Sequence, residues 1–326
     1  KTGADVAICR VQRFGYGGEE FNPIVDEFTK EDSIDCYDKR LLWNFLVSNK
    51  CYRSEFLKAS GITFPLKRYA EDGAFCMQVF YKGAKIIGVK DAIMYYRRRK
   101  PKEGFSVTQT ISYNLVEDMF DCNEIIAGAA KESFSRPDCT CEDKDGYLQE
   151  IYCKVYSAFI QQFYRLIWGA DEKTLALMKE RFEDLLTKIS PESRKKFAHV
   201  EKDLNGIMLS KKEIAAKPAL TVIAKKPTKD FIASLYAQSM PHFELITTDA
   251  CGFEYENLTV LSEKDFAKNA KKAAKSGFIL KESGKKPFAD NRLFKVLMLI
   301  KKRREFASFP VFAIKLGAKL LLKLRH

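Results

Sequence analysis

The stretch from Trp43 to Arg99 limits the possible folds of this chain more than any other. It contains a helix-like run, Tyr52–Ala59, that ends at Gly61, and then an acidic pair, Glu71 and Asp72, that opens a second apolar-periodic segment. Glycine is the usual residue just past a helix end, and carboxylates in a first turn lie near the positive end of the helix dipole. The stretch therefore predicts two helices, the second of which begins at the acidic pair.

The acidic pair has two interpretations. An ordinary helix start explains the carboxylates, because acidic residues are common in first turns. The alternative is a catalytic pair, and it depends on four motifs in a fixed order: NKCYRSEFL, GITFP, YAEDGAFCMQVFYKGAKI and DAIMYYRRR. In that order, over roughly residues 4 to 110, they resemble the second half of a family 2 glycosyltransferase of the GT-A fold.

The resemblance implies a role for each carboxylate. It makes Asp72 the general base, with Glu71 beside it, in the transfer of a sugar from a nucleotide-sugar donor to a glycan or lipid-linked acceptor. An inverting transfer needs such a base within about 3 Å of the acceptor hydroxyl, opposite the departing nucleotide diphosphate.

The same resemblance implies four substrate-binding residues. Asn49 and Lys50 belong to the first motif, and Arg97 and Arg99 end the strand-like run of the last. A guanidinium can meet a diphosphate through two parallel hydrogen bonds. A solvated basic loop before Pro101 is an equally good interpretation of either arginine alone.

The metal expected from the resemblance has no ligands in the sequence. Family members begin with a nucleotide-binding half that ends in an Asp-x-Asp motif, which holds Mg2+ or Mn2+ on the diphosphate. The opening strand-like run ADVAICRVQRF resembles a segment that follows this motif. We therefore expect the N-terminal half to be missing, and the metal ligands are unknown.

A helical period begins after residue 110. Apolar residues recur at three- or four-residue spacing from Leu115 to Ile126 and again from Tyr152 to Leu166, which predicts helices. The polar segment between them contains Asp143-Lys144-Asp145, formally an Asp-x-Asp. No buried strand precedes it, so a helix-linking turn is the preferred interpretation.

Nine cysteines at irregular spacing favour a reducing cytosol over a disulfide framework. Cys139 and Cys141 form the closest pair, but no second pair lies at a suitable distance for a structural zinc site. A zinc site is therefore only a minor alternative.

Residues 219 to 298 alternate strand and helix patterns, which favours a parallel α/β layer. They also resemble the missing front half of the same family, through Ser234-Leu235, Phe243–Ile246 and Asp249. Lys281–Gly284 stands in place of the metal motif, and a lysine there would repel a cation. We expect a degenerate half-domain that stands apart, although it could instead complete the first sheet.

The basic charge is concentrated at the end of the chain. Residues 281 to 326 hold 13 Lys or Arg and 3 Asp or Glu, so +10 of the net +13 lies there. Basic amphipathic segments of this kind bind anionic membrane surfaces. Nucleic acid is the alternative partner, but it is not expected because no reader motif accompanies the tail.

The sequence thus predicts an α/β fold with four parts. These are a partial GT-A (Rossmann-like) sheet in residues 1–110, a helical region in 111–217, a small α/β half-domain in 218–298 and a basic tail in 299–326. The expected function is inverting glycosyl transfer in cell-surface polysaccharide synthesis, at the inner face of the cytoplasmic membrane. The alternative is an inactive pseudo-glycosyltransferase that serves as an interaction or scaffold module.

Overall fold

The computed structural model describes residues 2–15, 19–98, 111–197, 206–237 and 240–287, together with Leu293 and Val296. The chain divides into two compact units. One contains Lys1–Phe159 and Ala176–Arg194, and the other contains Ile160–Leu175 and the described residues from Lys195 onward.

The described residues form eight strands and ten helices. The strands are β1 (Val6–Gly15), β2 (Glu20–Phe21), β3 (Lys50–Tyr52), β4 (Ile86–Arg98), β5 (Leu220–Ala224), β6 (Phe243–Thr247), β7 (Leu258–Val260) and β8 (Ile279–Glu282). The helices are α1 (Pro23–Phe28), α2 (Ser54–Ser60), α3 (Glu71–Tyr81), α4 (Tyr113–Ser133), α5 (Lys144–Ala158), α6 (Glu172–Lys188), α7 (Pro191–Arg194), α8 (Lys211–Ala216), α9 (Lys229–Tyr236) and α10 (Phe266–Ala273). Two 3-10 segments, Lys39–Trp43 and Val47–Asn49, precede β3.

The first sheet is mixed, and β1 lies inside it. This strand pairs antiparallel with β2 and β3 and parallel with β4 along its whole length. The register between β1 and β4 shifts after Cys9. Cys9 faces Val89, whereas the next residue, Arg10, faces Ile93. Residues 90–92 of β4 therefore form a bulge.

The amino-terminal half of β4 is covered on its other edge. The Gly88 N–H donates to the carbonyl oxygen of Glu31 at 2.9 Å, and Ile34 pairs with Ile86 as an isolated bridge. A Cβ atom at Gly88 would collide with the Thr29 backbone. Only glycine therefore allows this segment to lie so close to the strand.

Helix α3 forms the centre of the first unit. Its side chains are apolar on nearly every side, and the residues from Gly73 to Met77 and from Val79 to Tyr81 are buried. A helix that is apolar all round packs inside a domain. It packs closely on α4, which in turn contacts α5.

The second sheet is entirely parallel, with the strand order β7-β6-β5-β8. Every residue of β5 and β6 is buried, as expected for strands with helices on both faces. Helix α9 connects β5 to β6, and α10 connects β7 to β8. The described strands of residues 219–298 pair only with one another, so they form a sheet of their own.

The structure confirms the mixed α/β class, the helical middle region and the second parallel sheet. Several short elements were not predicted: β2, β3, β7, α1 and α8. Helix α1 has a clear start signal, because Asn22 caps it and Pro23 is its first residue. Within the ranges that the structure describes, no helix combines the length and the apolar character that crossing a bilayer needs.

Candidate functional site

The acidic pair lies in the first turn of α3, as the sequence predicts. The residue before the helix, Ala70, has a left-handed backbone with φ of 63°. This conformation is rare outside glycine and costs on the order of 1 kcal/mol. Both Glu71 and Asp72 are half-buried. Strained backbone conformations cluster at functional sites, although Lys226, Cys251 and Asp265 also have positive φ.

The two carboxylates act on different neighbours. Burial is the largest cause of the pKa shifts of Lys50, Tyr52 and Cys76: it lowers the pKa of Lys50 and raises the other two. The charge of Asp72 has a smaller effect on all three groups, and it acts to raise each pKa. Glu71 instead helps to raise the pKa of Cys122 on α4 to about 12, where burial is again the largest cause. Asp72 therefore belongs to the side of α3 that faces the loop before β3, and Glu71 to the side that faces α4.

Lys50 lies in the interior beside this site, with only 8% of its surface exposed. Its ammonium donates to the carbonyl oxygens of Asn44 and Leu46 at 2.9 and 2.6 Å, and to Oδ1 of Asn49 at 3.0 Å. All three ammonium protons are thus used. Burial lowers the pKa of Lys50 to about 8. In this geometry Lys50 holds the loop before β3 and does not offer a free donor to a substrate.

Asn49 is also directed inward, with 1% of its surface exposed. Its Nδ2 donates to the carbonyl oxygen of Cys9 in β1 at 3.0 Å. Asn49 and Lys50 were predicted to bind substrate. The structure places them near Asp72 and buries both, which supports a positioning role for the pair.

Phe45 seals the same loop against the start of α3. A Cβ atom on Gly73 would lie 2.5 Å from Cδ2 of Phe45, so only glycine permits this contact. The Cys76 thiol donates to the Phe45 carbonyl oxygen at 3.8 Å and lies 3.1 Å from the Tyr52 hydroxyl. The residues before β3 are therefore fixed to α3 immediately beside Asp72.

The turn before α3 is anchored on α4. Lys67 forms ion pairs with Asp118 at 3.4 Å and Asp121 at 2.7 Å, and the Arg68 N–H donates to Asp118 at 2.8 Å. Phe64 is 45% exposed, and its ring stacks on Phe75 at 4.0 Å. The turn thus presents an aromatic face on one side of α3.

Arg97 lies at the carboxyl end of β4 and is exposed. Arg97 faces Phe14 of β1, whereas Lys50, on which Asp72 acts, pairs with Ile8, six residues earlier in the same strand. Carboxyl ends of parallel strands are the usual edge for ligand binding in α/β sheets. Arg99 lies outside the described residues.

A second cluster was missed by the sequence analysis. The ammonium of Lys154 lies 4.3 Å from the ring centroid of Trp43 and 5.5 Å from that of Phe45. Trp43 and Lys154 are far apart in sequence and come together because the 3-10 segment Lys39–Trp43 packs on α5. The only local signal is a lysine next to the apolar stripe of α5.

The described residues do not fit a divalent metal. Among them, no group of three or more His, Cys, Asp or Glu side chains comes together as a metal site requires. Asp143, of the formal Asp-x-Asp, caps α5 by accepting a hydrogen bond from the Gly146 N–H at 2.8 Å. This agrees with the interpretation of that segment as a helix-linking turn.

The carboxyl edge of the second sheet is closed where α/β sheets commonly bind ligands. Strand β5 lies between β6 and β8, so the strand order reverses there. The Thr228 N–H donates to the carbonyl oxygen of Gly284 at 2.8 Å, and a Cβ on Gly284 would lie 2.7 Å from Cα of Pro227. Asp249 accepts a hydrogen bond from the Cys251 N–H at 2.8 Å and so caps a turn.

An open hollow of about 670 Å³ lies elsewhere in the second unit, beside β7. Phe253, Tyr255, Glu254 and Glu256 contribute to its lining.

Comparisons of the chain with protein-family models, with curated proteins and with solved structures gave no match. Of the predicted site residues, the structure brings together Asp72, Asn49 and Lys50.

Proposed function

We propose that this chain carries the acceptor half of an inverting family 2 glycosyltransferase, with a partial GT-A (Rossmann-like) sheet in residues 1–110. The substrates would be a nucleotide-sugar donor and a glycan or lipid-linked acceptor of cell-surface polysaccharide synthesis. One observation carries the proposal: Asp72 is half-buried at the start of a buried helix, and its charge acts on an interior lysine, Lys50.

The chemistry needs a single proton acceptor. As the acceptor hydroxyl oxygen bonds to the anomeric carbon, its proton passes to the Asp72 carboxylate. The bond from the anomeric carbon to the diphosphate oxygen breaks, and the electron pair leaves with the nucleotide diphosphate. Attack from the face opposite the leaving group inverts the anomeric carbon.

The remaining residues have supporting roles. Asn49 and Lys50 would keep the loop before β3 against α3, so that the Asp72 carboxylate has a fixed direction. Arg97, with Arg99, would attract the diphosphate at the carboxyl edge of β4. Mg2+ or Mn2+ remains an expectation of the resemblance, and the described residues provide no set of ligands for it. Binding of the basic tail to an anionic membrane surface is likewise part of the proposal.

The test is nucleotide release by the complete native protein with a panel of nucleotide sugars. We expect Asp72→Asn to lower acceptor-dependent release by about 10²- to 10⁴-fold, because the base is lost, while donor binding is retained. Glu71→Gln should lower release by less than about tenfold, since Glu71 belongs to the α4 side of the helix.

Asp91→Asn is the matched control, because Asp91 is exposed in the bulge of β4. It should leave release unchanged. Transfer at the parental rate by Asp72→Asn would show that the base is another residue, and equal losses in all three variants would indicate a folding defect.

A second function, an inactive scaffold, is favoured by the second unit. The edge of its sheet is closed by the contact between Thr228 and Gly284, and its hollow lies beside β7 instead. Calorimetric titration of the complete protein with UDP and other nucleoside diphosphates separates the two functions. Binding by none of them, to protein that is fully folded, would favour the scaffold.

A further inference from the structure

Lys154 is a half-buried lysine whose ammonium lies near two aromatic rings. Its Nζ atom lies 4.3 Å from the Trp43 ring centroid and 5.5 Å from the Phe45 ring centroid. Aromatic faces attract cations, most strongly when water is excluded. The arrangement therefore fixes a positive charge between two rings on one side of α5.

This charge has no carboxylate partner in the described part of the chain. The nearest acid along the helix, Glu150, pairs with Lys39 at 3.7 Å. Asp72 and Glu71, at the start of the adjacent α3, act on other groups. Burial alone lowers the pKa of Lys154 to about 8. Charged side chains that are removed from water are normally paired, so an unpaired one indicates a site that an anion can complete.

The rings beside Lys154 are partly open to solvent. Trp43 is 44% exposed, whereas the other tryptophan, Trp168, is 2% exposed. The neighbouring Asn44 is 2% exposed, and neither Nδ2 nor Oδ1 of its side chain has a hydrogen-bond partner among the described residues. Buried side-chain amides without a hydrogen-bond partner are rare, so the Asn44 side chain has hydrogen-bonding groups that the described residues do not use.

Phe45 connects this cluster with the proposed catalytic carboxylate. Its ring contacts Lys154 on one side and closes on Gly73, the residue after Asp72, on another. Phe45 therefore links Trp43 and Lys154 to the start of α3.

We propose that Trp43 and Lys154 form a subsite for a saccharide that carries a phosphate or carboxylate group. The apolar face of the pyranose ring stacks on the face of Trp43 opposite Lys154, and the anionic group reaches past the edge of the indole ring to pair with the Lys154 ammonium. Sites of this kind combine an aromatic wall with a few placed polar groups. The inference rests on the proposed function only in calling this saccharide the acceptor of the transfer.

Trp43 itself provides the readout. Its emission should titrate with a midpoint near pH 8 as the adjacent ammonium loses its proton, and glucose 6-phosphate should raise that midpoint by favouring the charged form. Trp43→Phe gives the background signal of Trp168. Lys154→Met should abolish the titration of Trp43 emission. Lys154→Arg should also show no midpoint near pH 8, because arginine stays charged, but it should still bind glucose 6-phosphate.

Binding measurements with glucose 6-phosphate, glucose and inorganic phosphate test the saccharide contact and the anion contact separately. Glucose 6-phosphate should bind at least about tenfold more tightly than glucose or inorganic phosphate, and Lys154→Met should remove that advantage. The control Lys58→Met, at an exposed position of α2, should change nothing. Equal binding by phosphate alone would overturn the saccharide contact, and unchanged binding by Lys154→Met would overturn the whole subsite.

The outcome is independent of catalysis, because no donor or turnover is involved. Asp72→Asn should bind glucose 6-phosphate as tightly as the parent protein. Loss of transfer together with retained binding would bear only on the proposed function, whereas failure of binding in active protein would overturn the subsite alone.

Discussion

The ammonium of Lys50 donates to the carbonyl oxygen of Leu46 at 2.6 Å and to that of Asn44 at 2.9 Å. A charged side chain is thus used to tie the loop before β3 into the interior. Charge-assisted hydrogen bonds are roughly twice as strong as neutral ones, so this lysine can offset much of its own desolvation. The loop it holds is the one that lies beside Asp72.

Lys50→Met should lower the free energy of unfolding by roughly 2–4 kcal/mol, because the substitution preserves the stem but leaves three acceptors without a donor. Urea denaturation of both proteins at neutral pH measures the difference. Lys58→Met, on the exposed face of α2, is the control and should stay within about 0.5 kcal/mol of the parent. A Lys50→Met variant as stable as the control would mean that the three hydrogen bonds contribute nothing.

The contribution of Lys50 should also depend on pH. Its pKa is about 8 in the folded protein and 10.5 in the unfolded chain, so between these values the unfolded chain binds more protons. The stability of the parent relative to Lys50→Met should therefore rise from about pH 8 to pH 10.5, by up to roughly 3 kcal/mol, and stay flat below pH 8. Denaturation of the two proteins in parallel cancels the thiol and phenol titrations that they share. A difference that falls with pH in this window would contradict the low pKa.

Gly73→Ala should destabilise the first unit by about 1–3 kcal/mol, because its Cβ would lie 2.5 Å from the Phe45 ring. Combining it with Phe45→Leu should recover part of the loss. Gly128→Ala is the matched control, since it adds the same atom to a helix with nothing within 4 Å, and it should stabilise α4 by roughly 0.5–1 kcal/mol. If the two alanines had the same effect, the close contact with Phe45 would be absent in solution.

Gly284→Ala should open the closed edge of the second sheet. Gly284 has φ of 72°, and a Cβ there would lie 2.7 Å from Cα of Pro227, so both backbone strain and a clash are added. Gly252→Ala has a similar φ of 81° but nothing within 4 Å, and it separates strain from clash. We expect Gly284→Ala to cost about 1 kcal/mol or more beyond Gly252→Ala. Hydrogen exchange of the β5 and β8 amides measures this, and equal exchange in the two variants would contradict the contact.

Local sequence signals predicted the elements around the acidic pair well. Gly61 has φ of 66° directly after α2, and Glu71 begins α3, because helix ends depend mainly on residues within one turn. The second sheet was predicted for a similar reason, since strands buried on both faces give continuous apolar runs such as LTVIA and FELIT.

The site itself was harder to predict. Asn49 ends a 3-10 segment and Lys50 begins β3, and only the tertiary course of residues 43–50 turns both polar side chains inward. The pairing of Trp43 with Lys154 depends on the packing of two separate segments. A helical period marks α5, but it does not show which segment packs against that helix. The resemblance predicted residue roles that stay predictions, and it did not predict burial, which is what separates a positioning residue from a substrate contact.

The cover that Glu31 and Ile34 place on the outer edge of β4 also restricts how the first sheet can grow. Their contacts occupy the main-chain groups of Ile86 and Gly88. Among the described residues of β4, the regular ladder therefore resumes for an incoming strand beyond the bulge, from Ile93 onward. A neighbouring polypeptide that extends this sheet must therefore dock near Tyr95 and Tyr96, whose side chains are exposed. Growth of the sheet and access to Arg97 would then compete for the same few residues.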